Sequence, residues 1–480
     1  MLVEGWLARA AAARPHHVAL ETPSGSSTYE ELLAAARAGA VQLLELGAGP
    51  SASVAIALPP GLEFAHALHS CLLLGAIAVP VDMRLPAPAR AKLTSRAAVI
   101  LEEPLVVSAA ARRSISIEPP RARARERTRE MDGAARATDA APGAMDVALG
   151  AMHDLDAPAA VIHTSGTSAE PKAVTLTYGN LLWSALGSAA ALGAPRDERW
   201  LCALPLAHVG GLSILVRSAI YATTAVVHER FDAERVARAL EQAEITIASL
   251  VATTLDRVLD AGLEHPPALR CALTGGGPVP AELVDRAYAA RVPVSITYGL
   301  TEAASQVTTT PLAQLRRGAR GRGSPAGPGP PLFCTRVRVA GDGEILVRGP
   351  TVAPAALSSD GWLHTGDLGA LDEQDRLRVT GRGSEFIISG GQNVAPAKVE
   401  ATIERHPRVR EAAVVGRTDA AWGEAVTAIV VWRVGSEPDV AGVLELCAQA
   451  LAPYEVPKRV CSRTEPLPRT PSGKLLRREL

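Results

Sequence analysis

The stretch HTSGTSAEPKAV, residues 163–174, determines how the rest of the chain is interpreted. It follows a short apolar run, residues 159–162, that predicts a β-strand. Its small and hydroxyl residues would let backbone N–H groups approach an anion, and Lys172 would add a mobile positive charge. A Ser/Thr/Gly cluster is equally typical of a polar surface loop, and the spacing is not that of a P-loop. Phosphate binding and a plain loop both stay open here.

Length and composition favour a globular protein of two or more domains, because 480 residues exceed one ordinary hydrophobic core. The formal net charge of −1 gives no electrostatic reason to expect nucleic acid or an anionic membrane as partner. Six scattered cysteines without a C-x-x-C pair predict no zinc site or disulfide framework and fit a reducing cytoplasm. We expect no signal peptide, and no membrane span because His66, His69 and Pro80 interrupt the most apolar run.

Alternating strand and helix patterns predict an α/β fold. Thr28 and Glu31 have capping-box spacing before a helical pattern that ends near Gly47. Residues 53–58 then predict a strand, residues near 61–74 a helix and residues 78–82 another strand. Strands that alternate with helices form βαβ units, so we expect a large N-terminal domain of parallel-rich sheets covered by helices.

The character of the sequence changes in two places. Between about 108 and 150, five arginines alternate with other residues before a stretch rich in Pro, Ala and Asp. A solvated loop is the main interpretation, and a nucleic-acid-binding arm is the alternative. Beyond Gly381 a compact unit of roughly one hundred residues mixes helices and strands. We therefore predict domains at 1–381 and 382–480, the second a small, mobile α+β domain.

Five further stretches place glycines, hydroxyls, acids or bases at predicted strand ends and turns: TGGGPVP (274–280), ITYGLTEAASQ (296–306), HTGDLG (364–369), GRGSEFIISGGQNVAPAKVE (381–400) and PRTPSGKLLRREL (468–480). In the third, we predict that Asp367 lies in a tight turn, where it is suited to accept hydrogen bonds from two neighbouring hydroxyls. In the last, Lys474 has a flexible Pro/Ser/Gly setting. Each stretch alone also fits an ordinary structural role, such as hairpin glycines or a solvated lysine, so their order is what indicates function.

In sequence order, TSGTSAEPK, LPLAHVGG, YGLTEAAS, TGD, GRGSEFIISGGQN and PSGK resemble the core motifs of the adenylate-forming ligases. That superfamily contains acyl-CoA synthetases, luciferases and the adenylation domains of peptide synthetases, and the resemblance covers nearly the whole chain. More narrowly, LPLAHVGGLSILVRSAIYA, LRCALTGGGPVP and YGLTEAASQVTT resemble the o-succinylbenzoate-CoA ligase family of menaquinone biosynthesis.

The resemblance implies a reaction in two steps. A carboxylate attacks the α-phosphate of Mg-ATP to give an acyl-adenylate and pyrophosphate, and the thiolate of coenzyme A then displaces AMP. The first step brings two anions together, so positive charge and oriented donors must offset their repulsion. From the narrower resemblance we expect the carboxylate to be that of 2-succinylbenzoate. The alternatives are a CoA ligase for another aryl or short-chain acid, or a stand-alone adenylation protein without CoA chemistry. The oligomeric state stays open.

The resemblance also implies a role for each motif. The implied ATP-binding residues are Thr164, Ser165, Gly166, Thr167, Ser168, Lys172, Gly275, Gly276, Gly277, Tyr298, Thr301, Asp367 and Arg382. Among them, the resemblance implies that Tyr298 and the three glycines enclose the planar adenine ring and that Asp367 binds the ribose hydroxyls. The implied catalytic residues are Lys474, Thr301, Glu302 and His208, of which Glu302 would hold Mg²⁺ and Lys474 would bridge the carboxylate and the α-phosphate. The implied acid-binding residues are His208, Arg217, Gly299 and Ser305, the CoA tunnel is Ser389, Gly390 and Gly391, and the hinge, near 382–385, is Ser384.

Arg217 interrupts an otherwise mostly apolar helical pattern downstream of His208. A buried guanidinium is costly without a partner. Arg217 therefore either pairs with an internal carboxylate, or reaches the surface, or binds one of the two carboxylates of o-succinylbenzoate, which a monoacid lacks. His208 is predicted to shape the acyl pocket, with a packed core histidine as the alternative.

Ala169 and Ala173 stand where the superfamily pattern has glycine. If those positions need positive φ, each alanine costs about 1 kcal/mol or more relative to glycine. ATP affinity, and not the fold, would then be reduced.

Overall fold

The computed structural model describes residues 1–106, 152–164, 172–318, 327–382, 387–389, 392–419, 422–470 and 475–480. The prediction for the arginine-rich stretch at 108–150 lies outside these residues. The helices are α1 (Trp6–Ala13), α2 (Tyr29–Glu45), α3 (Leu62–Leu74), α4 (Ala87–Thr94), α5 (Tyr178–Leu192), α6 (Val209–Tyr221), α7 (Ala233–Gln242), α8 (Ala252–Asp260), α9 (Ala281–Ala289), α10 (Leu312–Gly318), α11 (Pro396–Glu404) and α12 (Val440–Ala450). Short 3₁₀ turns span Thr301–Ala303, Pro354–Ala356 and Arg477–Glu479.

The strands are β1 (Leu2–Glu4), β2 (Val18–Thr22), β3 (Gly25–Thr28), β4 (Ser53–Ile56), β5 (Ile77–Pro80), β6 (Val99–Leu101), β7 (Met152–Asp154), β8 (Pro158–Thr164), β9 (Lys172–Thr177), β10 (Arg199–Cys202), β11 (Thr224–Val227), β12 (Ile247–Leu250), β13 (Cys271–Thr274), β14 (Val294–Leu300), β15 (Ser305–Thr309), β16 (Arg336–Val339), β17 (Glu344–Arg348), β18 (Leu363–Leu371), β19 (Leu377–Arg382), β20 (Ile387–Ser389), β21 (Gln392–Val394), β22 (Val409–Asp419), β23 (Gly423–Trp432) and β24 (Arg459–Arg463).

Local signals account for several helix boundaries. Thr28 accepts a hydrogen bond from the Glu31 amide and Glu31 returns one, so the predicted capping box opens α2. The same reciprocal arrangement at Thr177 and Asn180 opens α5. Gly75 adopts a left-handed conformation, which ends α3 before β5.

Two parallel-rich sheets form the frame of the N-terminal part, as predicted. The larger has the order β15-β14-β13-β12-β10-β11-β2-β3, and its inner pairs, from β14 to β2, are parallel. The smaller has the order β6-β4-β5-β8-β9, with antiparallel pairing at β8–β9. One apolar core links both sheets to the helices between them; it includes Phe64, Leu68, Leu181, Trp200 and Leu212.

The C-terminal part has its own sheet and core. Its strands run β21-β20-β23-β22, with β24 parallel to β23. Val399 and Ile403 of α11 and Cys447 of α12 pack against Val414 and Val430 of this sheet. A large N-terminal α/β part and a smaller C-terminal part of helices and strands thus confirm the predicted fold class, whereas the boundary at 381/382 stays a prediction. No helix in the described ranges is both long and apolar enough to cross a membrane.

Candidate active site

The predicted nucleotide motifs follow two neighbouring strands of the eight-stranded sheet. β13 ends at Thr274, just before the glycine triplet, and β14 ends at Leu300, just before the 3₁₀ turn that contains Glu302. β13 and β14 are parallel, so both motifs lie at the same edge of the sheet. Ligands of open α/β sheets bind at the carboxyl ends of the strands, and this edge is therefore the candidate active site.

The glycine triplet lies tightly against β14. A Cβ at Gly275 would stand 2.6 Å from both the Cγ2 and the carbonyl oxygen of Thr297, so only glycine fits there. Gly276 has a φ of +79°, which favours glycine for its backbone. A Cβ at Gly277 would have no neighbour within 4 Å. The turn thus presents an open backbone surface, as the predicted contact with a planar ring requires.

The turn after β14 is close-packed and strained. The β14–β15 pairing is irregular between Tyr298 and Gly299, where a Cβ would stand 1.7 Å from the carbonyl oxygen of Ser305. Ala304 and Ser305 have φ values of +51° and +102°. Positive φ at a non-glycine residue costs of order 1–3 kcal/mol, and such residues cluster at functional sites. The strained turn supports the assignment of this motif to the active site.

The predicted phosphate lysine and metal-binding glutamate lie in contact. The Lys172 Nζ is 3.2 Å from the Glu302 Oε1. Thr164 pairs with Lys172 across β8–β9, so the two ends of the 163–174 stretch lie opposite each other. A single carboxylate combined with substrate phosphates is a typical Mg²⁺ site, so Glu302 fits the predicted ion. No cluster of three or more His, Cys, Asp or Glu side chains in the described part of the chain offers an all-protein alternative.

Ala173 does not have the conformation that would make alanine costly. It pairs with His163 in the β8–β9 ladder, and its backbone is therefore extended. The condition of positive φ is not met at this position. Ala169 lies outside the described residues, as do Ser165, Gly166, Thr167 and Ser168.

The prediction that Asp367 lies in a tight turn was wrong. Asp367 belongs to β18 and pairs with Arg382 of β19. The β18–β19 pairing is irregular between Leu368 and Gly369, so the glycine that indicated a turn lies inside the strand. The Tyr298 hydroxyl donates to the Asp367 Oδ2 at 2.8 Å. Two residues predicted to enclose the nucleoside are thus joined directly.

His208 lies at the start of α6 and is not a packed core histidine, because a third of its side chain, 34%, is exposed. Its Nε2 is 3.6 Å from the Oδ2 of Asp82, which follows β5. Burial opposes ionisation of Asp82, but hydrogen bonds from Arg84 and the nearby His208 imidazole hold the pKa of Asp82 well below its usual range. The sequence did not lead us to Asp82. The one signal available was that this carboxylate lies at the end of a predicted strand.

Arg217 is buried in α6, with 2% of its surface exposed. Its Nη2 donates to the Ser184 Oγ at 3.0 Å, and its guanidinium lies 5.5 Å from the centre of the Trp200 ring. Ser184 in turn donates to the carbonyl oxygen of Ala304 in the strained turn. Among the described residues no carboxylate forms an ion pair with Arg217, and its Nε has no partner there. Within this part of the chain, neither an internal acid nor the surface therefore accounts for its charge.

Part of the predicted site lies outside the described residues: Lys474, Ser384, Gly390 and Gly391. Ser389 ends β20, is fully buried, and has an Oγ without a hydrogen-bond partner in the described chain. Arg382 ends β19.

Sequence reasoning also missed two ion pairs on either side of Lys474. Arg469 pairs with Glu411 at 3.2 Å, and Arg477 pairs with Glu400 at 2.7 Å. They fasten the chain before and after residues 471–474 to β22 and α11.

The chain matches the family model of the AMP-binding enzyme over residues 7–355 and that of the AMP-binding enzyme C-terminal domain over residues 398–474. It is 35% identical to the 2-succinylbenzoate–CoA ligase of Bacillus licheniformis, over 99% of this chain and 98% of the relative. It is 36% identical to the enzyme of that name from Geobacillus kaustophilus, over 99% of this chain and 96% of the relative.

Among solved structures, the chain resembles the o-succinylbenzoate CoA synthetase of Bacillus subtilis in complex with its acyl-adenylate intermediate. The TM-score is 0.83 at 32% identity, over 100% of this chain and 98% of that one. The same enzyme in complex with ATP and magnesium ion matches with a TM-score of 0.82 at 31% identity, over 100% of both chains.

Proposed function

The chain belongs to the AMP-binding enzyme family, and from this premise we propose that it is an ATP-dependent ligase that joins 2-succinylbenzoate to coenzyme A. The proposal is supported by likeness over the full length to ligases of that name. The observation that carries the choice of acid is Arg217, a buried cation without a carboxylate partner in the described chain.

Arg217 gives the proposed site a reason to prefer a diacid. Adenylation consumes one carboxylate of the substrate, and a second carboxylate of 2-succinylbenzoate would remain charged in a buried pocket. A buried charge is stable only when it is paired and hydrogen-bonded. Arg217 is held by Ser184, which also contacts Ala304 next to the predicted acid-binding Ser305. A guanidinium in this place would neutralise the second carboxylate.

The nucleotide side of the proposed site rests on three contacts. Lys172 and Glu302 bring one positive and one negative group to the predicted phosphate position. Asp367, oriented by Tyr298, offers a carboxylate to the ribose hydroxyls. When bound at Glu302, Mg²⁺ would neutralise phosphate charge. These groups would lower the repulsion between the acid and the triphosphate, which is the main electrostatic barrier to adenylation.

Two roles are assigned to the C-terminal part. Lys474 would bridge the reacting carboxylate and the α-phosphate as a compact ammonium in the first step. For the second step, we propose that residues 382–480 rotate about Ser384 and that Ser389, Gly390 and Gly391 then line the route of the CoA thiol. The separate core of the C-terminal sheet supports its movement as one body. A cytoplasmic location is supported by six cysteines that are all free.

A panel of acids tests the proposed function. AMP release that depends on both ATP and CoA should be measured for 2-succinylbenzoate, benzoate, malonate and a short fatty acid. We expect the highest kcat/KM for 2-succinylbenzoate. If benzoate serves equally well, the proposed acid is wrong although a CoA ligase remains, and if AMP is released without CoA consumption, the protein is an adenylating enzyme without thioester chemistry.

A further inference from the structure

The strand that carries Asp367 departs from regular pairing with its neighbour β17. Glu344 pairs with Leu368 and Leu346 with His364, so two residue steps on β17 face four on β18. Residues 365–367 therefore lie opposite the single residue Ile345 and bulge out of the β17–β18 ladder. A bulge redirects side chains and leaves amides without their ladder partners, so some other group has to accept the hydrogen bonds of this segment.

The Glu344 carboxylate supplies that acceptor. Its Oε1 accepts from the Gly366 amide at 2.9 Å, and its Oε2 lies 2.8 Å from the His364 Nδ1. The Nε2 of His364 is 3.3 Å from the Asp360 Oδ2. Gly366 has a φ of +70°, a conformation that glycine leaves easily unless it is restrained. Glu344 is therefore the side chain that restrains the most adaptable residue of the bulge.

The residues on both sides of Gly366 are fixed by other contacts. The Thr365 hydroxyl donates to the Ile345 carbonyl at 2.7 Å and accepts from the Asp367 amide at 3.1 Å. The Tyr298 hydroxyl holds one oxygen of the Asp367 carboxylate. Gly366 is the link between Thr365 and Asp367, so its orientation sets the direction of the Asp367 side chain.

We propose that Glu344 is a positioning residue for nucleotide binding, which acts by holding the Gly366 amide so that Asp367 presents its carboxylate to the ribose diol. The inference rests on the proposed function for the assignment of Asp367 to the nucleotide. Glu344 itself touches no substrate in this scheme. Its loss frees one backbone segment and leaves the carboxylate of Asp367 chemically intact.

Titration of the full-length protein with AMP, by calorimetry, tests the proposal without any acid substrate. Removing an acceptor for one amide should weaken AMP binding roughly five- to tenfold in Glu344→Ala. Glu344→Gln should recover most of the affinity, because its amide oxygen still accepts from Gly366. Glu373→Ala, which removes an exposed carboxylate from the β18–β19 turn of the same sheet, is the matched control and should bind as the wild type does.

A double-mutant cycle with Asp367→Asn shows whether Glu344 acts through Asp367. Adding Glu344→Ala to Asp367→Asn should cause less than a twofold further loss of AMP affinity, because residues that act through one another are not additive. In steady state, Glu344→Ala should raise the KM for ATP and leave kcat at saturating ATP unchanged.

Three results would each overturn the inference: additive losses of AMP affinity in the double mutant, a fall in kcat of Glu344→Ala as large as its rise in KM for ATP, or a wild-type protein without affinity for AMP. Because the titration contains no acid, a wrong choice of acid in the proposed function would leave its result unaffected.

Discussion

Replacing Arg217 by methionine should separate recognition of the acid from stability of the fold. Methionine is unbranched and fills much of the same space without charge or donors. The change removes a hydrogen bond to Ser184 and a contact with Trp200. It also removes the desolvation cost of a buried guanidinium without a carboxylate partner in the described chain, and burial already lowers the pKa of Arg217. These effects oppose each other, so we expect the free energy of unfolding to change by less than about 2 kcal/mol.

The effect on catalysis should be larger and selective for the substrate. Truncating one partner of a buried charge pair costs about 2–5 kcal/mol. A loss of about 3 kcal/mol in transition-state binding corresponds to a fall of roughly two orders of magnitude in kcat/KM for 2-succinylbenzoate. Benzoate has no second carboxylate, so its kcat/KM, however low, should stay within about twofold of the wild type.

The assay is AMP release with each acid, combined with urea unfolding of the same samples. Arg238→Met is the matched control, because Arg238 is exposed and makes only a loose ion pair, at 3.8 Å, with Glu234. The reasoning is refuted if Arg217→Met lowers kcat/KM equally for both acids. It is also refuted if the variant loses more than about 3 kcal/mol of stability, since Arg217 would then be a structural residue.

Three further predictions follow from individual groups. Burial lowers the pKa of His69 to about 4. The contribution of neutral His69 to the free energy of unfolding is therefore complete above the ordinary histidine pKa of about 6.5 and is lost as the pH falls towards 4. His69→Gln should reduce that loss by up to about 3 kcal/mol in urea unfolding, with the exposed His16→Gln as control. Gly299→Ala would place a Cβ 1.7 Å from a backbone oxygen and should cost about 3 kcal/mol or more by urea unfolding; a wild-type stability would contradict the close packing. Lys474→Ala should abolish adenylation, measured by pyrophosphate exchange, and spare CoA transfer from a pre-made acyl-adenylate; equal loss of both steps would contradict its role.

Features governed by neighbours in sequence were predictable, whereas features governed by distant pairing were not. The capping box at Thr28 and Glu31 depends on four consecutive residues, and it is present as predicted. Asp367 was misplaced because the local glycines favour a turn, but pairing with Arg382 of β19 holds this residue in a strand. The contact of His208 with Asp82 joins residues more than one hundred positions apart, and nothing in the local sequence indicates it.

Motif order assigns residues to the predicted site but does not show which of them touch. Tyr298 and Asp367 were predicted for adenine and ribose separately, and the structure joins them by one hydrogen bond. A resemblance transfers roles position by position, and such a transfer contains no distances. The orientation of the Asp367 carboxylate therefore depends in part on Tyr298, because removal of the Tyr298 hydroxyl would remove one of its hydrogen bonds.

The ion pair of Lys172 and Glu302 joins two motifs that are predicted to bind phosphate and a metal ion. The lysine side chain is 60% exposed, and a surface pair of this kind contributes no more than about 1 kcal/mol. So weak a contact cannot draw β9 towards the turn after β14. The pairing of Thr164 with Lys172 and the irregular β14–β15 pairing place the two side chains instead. Because strand pairing places them, Lys172 and Glu302 can exchange each other for a phosphate or a metal ion at little cost in stability.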